Sequence, residues 1–282
     1  MSDDHAVRLA DAGAVEPEGE GRFRVTLADR FTAFGRPTGG YLQCVMASAA
    51  LAGASEAGAT HLHATAVATN FNAAPSPGPA IATTRVRRVG RAASFVHVTL
   101  SQGEVVTTES LVTLGSLRET SRAKYQGSAA PAIAAVADCD VLASHEDLDF
   151  HRAVEFRGDP TATSWWGAAG DVADDVAVGG EVALWLRLRD EGRPWDPWST
   201  LFATDALPPA TITLGSTGWV PTLQLTSYVR RIPSSEWLLA RQWCVTVADG
   251  SVDERCEVFD ASGELVASSS QLALVRFGAG NG

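Results

Sequence analysis

Pro37-Thr38-Gly39-Gly40 runs directly into Tyr41-Leu-Gln-Cys-Val-Met-Ala-Ser-Ala-Ala-Leu-Ala-Gly-Ala-Ser-Glu-Ala-Gly58. Leu42, Val45, Met46, Ala49 and Ala50 put apolar side chains on most sides of a helix. A helix that is apolar nearly all round must be buried. Gly53 and Gly58 weaken it and end it. Four strand-like segments follow, at 61–72, 80–89, 93–102 and 104–114, rich in Val and Thr. In the third, Phe95, His97 and Thr99 alternate with Val96, Val98 and Leu100, the period of a half-buried strand. Turn signals separate these segments: Pro75-Ser76-Pro77-Gly78-Pro79, Gly90-Arg91 and Gln102-Gly103. With a short strand at 22–27 ahead of the helix, the first half reads as one buried helix wrapped by an antiparallel meander.

The second half repeats this order. Residues 115–138 are polar, then rich in Ala and Pro, and read as a connector. Strands are expected at 151–157, 181–189, 219–230, 236–247, 251–260 and 264–277. Asp196-Pro197 is a helix-start signal, with Asp as N-cap and Pro in the first position. It opens a helix over 198–207 that Pro208-Pro209 stops. Pro75 and Pro233 lie 158 residues apart, as do Phe71 and Val229. In both halves a long strand runs into a proline-marked turn and three more strands, the pattern of a fused duplication. Its two copies should pair through their sheets, as a two-fold homodimer would. The expected organisation is an acidic tail at 1–21, a module at 22–115, a linker at 116–145 and a second module at 146–277.

Composition sets the outer bounds. A chain of 282 residues is long enough for two domains of ordinary size. With 45% hydrophobic and 20% charged residues it is neither disordered nor a disulfide scaffold. The net charge of −11 disfavours nucleic acid as a partner. Cys44, Cys139, Cys244 and Cys256 form no CxxC pair and read as buried free thiols of a reducing compartment, which points to the cytoplasm. The first 22 residues lack the apolar core of a signal peptide. No 18-residue apolar stretch is present to span a membrane.

A resemblance appears at Thr222-Leu-Gln-Leu-Thr-Ser-Tyr-Val-Arg-Arg-Ile-Pro-Ser-Ser-Glu-Trp-Leu-Leu239, where a Thr-bearing strand runs into a basic, proline-marked turn. Gly263-Glu-Leu-Val-Ala-Ser-Ser-Ser-Gln-Leu-Ala-Leu-Val-Arg276, Ala183-Leu-Trp-Leu-Arg187 and Leu201-Phe-Ala-Thr-Asp205 belong to the same pattern. Over nearly its whole length the chain resembles the acyl-CoA thioesterase II (TesB-like) family of the double hotdog superfamily. That resemblance implies an α+β double hotdog fold, an acyl-CoA substrate and a hydrolase without cofactor or metal. It also implies further assembly, a homo-oligomer formed as a dimer of pseudo-dimers. In the family an Asp, a Thr or Ser, and a Gln hold the attacking water. These roles carry over to Asp205, Thr222 and Gln271, with Thr226 as the alternative hydroxyl. The chain departs from the family in reading Gln224-Leu225-Thr226 where Asp-His-Ser is common, and in the early stop at Pro208-Pro209.

The residue types suit thioester hydrolysis. A carboxylate accepts the water's proton, and a hydroxyl and an amide position the same water. Gly39 and Gly40 at a helix N-terminus are expected to bring backbone N–H donors to the thioester oxygen. With the offset of 158, Thr222 falls on Ala64 and Gln271 on Thr113, so one site per chain is expected. Arg87, Arg88, Arg91, Arg230 and Arg231 are the candidates to meet the phosphates of CoA. His61 and His63 share one strand face but are too few for a metal site. The stretch Asp147-Leu-Asp-Phe-His151 reads as the solvated start of a strand. Trp165, Trp166, Trp185, Trp195 and Trp198 read as core and interface. Two rival readings remain: a double hotdog hydratase or dehydratase, which calls for an Asp–His pair, and a non-catalytic acyl-CoA-binding protein.

Overall fold

Alternation of side chains builds most of the structure. In Arg22–Leu27 every second residue is buried, with Phe23, Val25 and Leu27 facing in, as the two-residue period of a strand requires. The computed structural model describes residues 7–119, 123–163, 165–166, 179–189 and 194–277. The first half contains α1 (Leu9–Ala12), β1 (Glu16–Gly19), β2 (Arg22–Leu27), the short ribbon of β3 (Thr32–Ala33) and β4 (Arg36–Pro37), and α2 (Gly39–Glu56). It ends in the meander β5 (His63–Phe71), β6 (Gly78–Arg88), β7 (Ser94–Gln102) and β8 (Val105–Gly115). The second half contains β9 (Asp140–Val141), β10 (Val154–Gly158), β11 (Glu181–Leu188) and α3 (Ser199–Ala203). It ends in β12 (Thr222–Val229), β13 (Leu238–Ala248), β14 (Ser251–Asp260) and β15 (Leu265–Leu274).

The strands of both halves join in one antiparallel sheet, ordered β1-β2-β6-β7-β8-β5-β12-β15-β14-β13-β11-β10-β9. Its centre is the pairing of β5 with β12, where Thr69 meets Leu225 and Val67 meets Ser227. The sheet reads the same outward from that seam in both directions: last meander strand, third, second, then the strand that precedes the helix. This is the double hotdog arrangement. Shifted by 158, β5 through β8 fall on β12 through β15 to within about two residues at each end, and β2 overlaps the start of β11.

The helices obey the same offset, with one difference. Gly39–Glu56 falls on residues 197–214, which hold α3, a break and a 3-10 turn at Ala210–Leu214. The break contains Pro208-Pro209, whose rings remove two N–H donors and clash with the preceding turn. The expected helix over 198–207 is therefore shorter, although Asp196 does cap it. Its Oδ1 accepts from the Ser199 N–H at 2.7 Å, and its carbonyl accepts from Thr200.

Along α2, Tyr41, Leu42, Cys44, Val45, Met46, Ala47, Ala49 and Ala50 are buried, so the all-round apolar reading holds. Gln43 is the polar exception. Its buried amide lies within hydrogen-bond reach of the Val67 carbonyl on β5 (3.2 Å) and the Leu225 carbonyl on β12 (3.1 Å), tying the helix to both halves. Trp198 does likewise from the other side, its Nε1 donating to the Cys44 carbonyl and Ser48 Oγ, both at 2.9 Å.

One expectation is corrected. The part of the acidic tail that is described is integrated into the fold: Leu9 is fully buried and Glu16–Gly19 pairs with β2. The connector runs over the outer face of the second half, where Gln126 bonds Gly263 and Leu265, and Ser128 bonds Glu257. All four cysteines are free. No helix among the described residues is long and apolar enough to cross a membrane, and none of their side chains group as a metal site.

Candidate active site

Asp205 follows the last turn of α3, its N–H bonded to the Phe202 carbonyl. The helix packs against the N-terminus of α2, and the carboxylate meets it there: Asp205 Oδ2 accepts from the Gly40 N–H at 2.7 Å. The glycines make this approach possible. A Cβ on Gly40 would sit 2.9 Å from the Phe202 carbonyl oxygen and 3.0 Å from Asp205 Cβ; one on Gly39 would sit 3.0 Å from Asp205 Oδ2. This corrects the expected role of Gly40, whose N–H serves Asp205 and is not free for a thioester oxygen. Gly40→Ala should push the helices apart and destabilise the fold by about 1–3 kcal/mol, the usual range for overpacking. Thermal melting checks this, and an unchanged midpoint would count against the contact.

Gln271 faces inward from β15, in step with Ser269 and Ala273. Thr222 reaches the same face through an irregularity. The β12–β15 register shifts between Thr222 and Gln224, and a bulge of this kind re-aims a side chain. Thr222 Oγ1 consequently donates to Gln271 Oε1 at 2.9 Å. Thr222, Gln271, Asp205 and Gly39 line one cavity, while Thr226 does not. The expected Asp, Thr and Gln are thus brought to one place.

The structure adds two residues not singled out from sequence. Gln271 Nε2 donates to Glu254 Oε2 at 2.6 Å, and Gln242 Nε2 donates to the same oxygen at 3.0 Å. Glu254 Oε1 accepts from the Ala210 N–H at 2.7 Å. Glu254 is 1% exposed and lies on β14 between the buried Val252 and Cys256. A carboxylate on the apolar phase of an alternating strand is the signal that marks it in the sequence.

Burial raises the pKa of Asp205 to about 7; the Glu254 charge adds to the rise, and the N–H groups of Gly40 and Gly39 oppose it. Burial likewise raises Glu254, against the donors that hold it. Asp205 sits deep in the protein, with part of its surface open to the cavity. A carboxylate that titrates near neutrality is suited to general-base work.

The cavity measures about 750 Å³ and is mostly apolar, with Leu42, Phe71, Leu207, Ile212 and Trp219 among its walls. Leu207 through Ile212 belong to the interrupted second helix, so the proline break shapes the cavity wall. None of the five candidate arginines lines it. β6 starts at Gly78, close to the cavity-lining Pro75, and carries Arg87 and Arg88 to its far end, roughly 30 Å away at strand spacing. Arg91 lies beyond them. Arg230 and Arg231 follow the end of β12 opposite Thr222, and Arg231 is paired with Glu264 at 2.5 Å. Among the described residues the arginine at the cavity is Arg36, whose Nη1 bonds Ser76 Oγ at 2.7 Å. His145, Asp147, Leu148 and Phe150 also line it, and His151 is buried against Trp166. That stretch is therefore a cavity wall and not a solvated strand start.

A family model described as acyl-CoA thioesterase N-terminal domain matches residues 27–115, and one described as acyl-CoA thioesterase C-terminal domain matches residues 131–275. The chain belongs to the acyl-CoA thioesterase family. It is a thioester hydrolase, which sets aside the hydratase and binding-protein readings. A putative thioesterase II from Thermobifida fusca YX superposes on the thioesterase with a TM-score of 0.84 at 31% identity, covering 96% of this chain and 98% of that one. An acyl-CoA thioesterase II, TesB2, from Mycobacterium marinum shares the fold with a TM-score of 0.71 at 17% identity, covering 97% and 100%. An uncharacterised protein of Mycobacterium tuberculosis (strain ATCC 25618 / H37Rv) is 28% identical over 90% of each chain.

Proposed function

We propose that the thioesterase hydrolyses acyl-CoA at the cavity shared by Asp205, Thr222 and Gln271, with Asp205 as general base. The observation that carries this reading is the placement of Asp205, a half-buried carboxylate held at the start of α2 by the Gly40 N–H and lining the same cavity as the Thr222–Gln271 pair. In the proposed step Asp205 takes one proton from a water as the water oxygen bonds to the thioester carbonyl carbon. Thr222 keeps its proton and donates it in a hydrogen bond to Gln271 Oε1, so its lone pairs are left to accept the water's other hydrogen. The second Nε2–H of Gln271 donates to the water oxygen. The positive end of α2 favours the charge that develops on the carbonyl oxygen. The carbon–sulfur bond then breaks, and the proton held by Asp205 passes to the departing CoA thiolate. The products are a free acid and CoA.

The apolar walls suit an acyl chain. Gly39 and Gly40 act in this reading by orienting the base. Thiol release from a panel of acyl-CoAs, wild type against Asp205→Asn, tests it; equal rates would remove Asp205 from the mechanism.

A further inference from the structure

We propose that Glu254 is a positioning residue of this thioesterase, whose carboxylate dictates which way the Gln271 amide faces and hence which way the Thr222 hydroxyl donates. The proposal rests on the reading of Thr222 and Gln271 as the groups that hold the water. Glu254 stands directly across from Gln271 in the β14–β15 pairing, on the inward face. An ionised carboxylate only accepts hydrogen bonds. The amide facing it must therefore present nitrogen, as the 2.6 Å contact has it. Gln271 Oε1 is then turned to Thr222, and the hydroxyl must donate, as the 2.9 Å contact has it. One buried charge thus sets the direction of every proton in the chain Thr222–Gln271–Glu254. A neutral amide at position 254 would donate as readily as accept, and the direction would be lost.

Burying a carboxylate is costly unless donors surround it. Here Ala210 N–H, Gln242 and Gln271 do so from three elements. The same charge also acts on the candidate base. Asp205 faces the N–H groups of Gly39 and Gly40 on α2, and Glu254 and Cys256 on β14. Glu254 itself faces Gln271 on β15, Gln242 and Cys244 on β13, and the 3-10 turn beginning at Ala210, with Cys244 Sγ at 3.8 Å. Burial pushes both thiols up, which keeps them neutral near pH 7. Glu254 is thus the anion whose removal makes Asp205 easier to ionise.

The test follows thiol release from one acyl-CoA across pH for wild type, Glu254→Gln and Asp205→Asn. Glu254→Gln should lower kcat on the order of tenfold to a hundredfold, the scale of a misplaced reacting group. KM should stay nearly unchanged, and the acid limb of the pH profile should move to lower pH. Wild-type kcat in Glu254→Gln overturns the proposal, and so does a lowered kcat with an unmoved acid limb, which a merely structural role would give. In either case an inactive Asp205→Asn leaves the underlying reading standing. Full activity in Asp205→Asn overturns both. If Glu254→Gln does not fold, the side-chain amide of Gln271 in the wild-type chain decides by NMR. One amide proton protected from exchange supports the proposal, and a freely exchanging amide overturns it.

Discussion

Asp205→Asn should lower kcat for acyl-CoA hydrolysis by about a hundredfold to ten-thousandfold, the range general acid–base catalysis contributes. The amide keeps the size of the carboxylate, and its oxygen still accepts from the Gly40 N–H, so the contact between α2 and α3 survives. What is lost is the only capacity the proposed step needs, uptake of a proton from water. In the proposed reading substrate binding rests on the apolar walls and is expected to persist, so the loss should appear in kcat with little change in KM. The wild-type enzyme should carry a matching pH signature. With the Asp205 pKa raised to about 7, activity should climb as pH rises through neutrality and level off above it. Steady-state rates against pH check this; a wild-type profile flat through neutrality would contradict the assignment of the base.

The same substitution should stabilise the fold in alkaline solution. An aspartate carboxyl ordinarily titrates near 3.8, and burial raises that of Asp205 to about 7. Between those values the native state holds a proton that the unfolded chain has released, so stability falls as pH rises through that window. Above about pH 7 the folded protein carries the full penalty of a buried charge, on the order of 4 kcal/mol for a difference of this size. Asn carries no such charge. Asp205→Asn should therefore melt higher than wild type above neutrality, and the gap should close as pH falls toward 4. Thermal melts at matched pH measure it; a variant that melts at or below wild type in alkaline buffer would argue against a destabilised carboxylate at this position. Lost activity with gained stability would fit a group retained for chemistry.

Local patterns carry much of this molecule. The all-round apolar face of Tyr41–Ala50 required a helix inside a cup, and alternation in the meanders showed which residues line the cup. The 158-residue offset predicted the pseudo-symmetric sheet because strand and turn signals repeat wherever the same unit repeats. The family motifs single out Asp205, Thr222 and Gln271, which line one cavity although separated by up to 66 positions in the chain. None of the five candidate arginines lines the cavity, for a directional reason. A strand 11 residues long has two ends far apart, and sequence alone does not say which end faces the ligand until its neighbours are paired.

Other features depend on contacts between elements. The Gly40 N–H reads as a free donor along the chain; only the packing of α3 against α2 gives it to Asp205. The register shift after Thr222 is a property of two paired strands, so the face that Thr222 takes cannot be counted off by twos. Glu254 shows in the sequence as a carboxylate on an apolar phase, but its partners come from β13, β15 and a turn more than 40 residues upstream. The chain by itself determined a duplicated helix-in-meander unit, since burial periodicity and turn chemistry are local. Only the tertiary structure decided how the second, proline-broken helix meets the first, because hydrogen-bond direction and charge proximity exist only once distant segments are packed together.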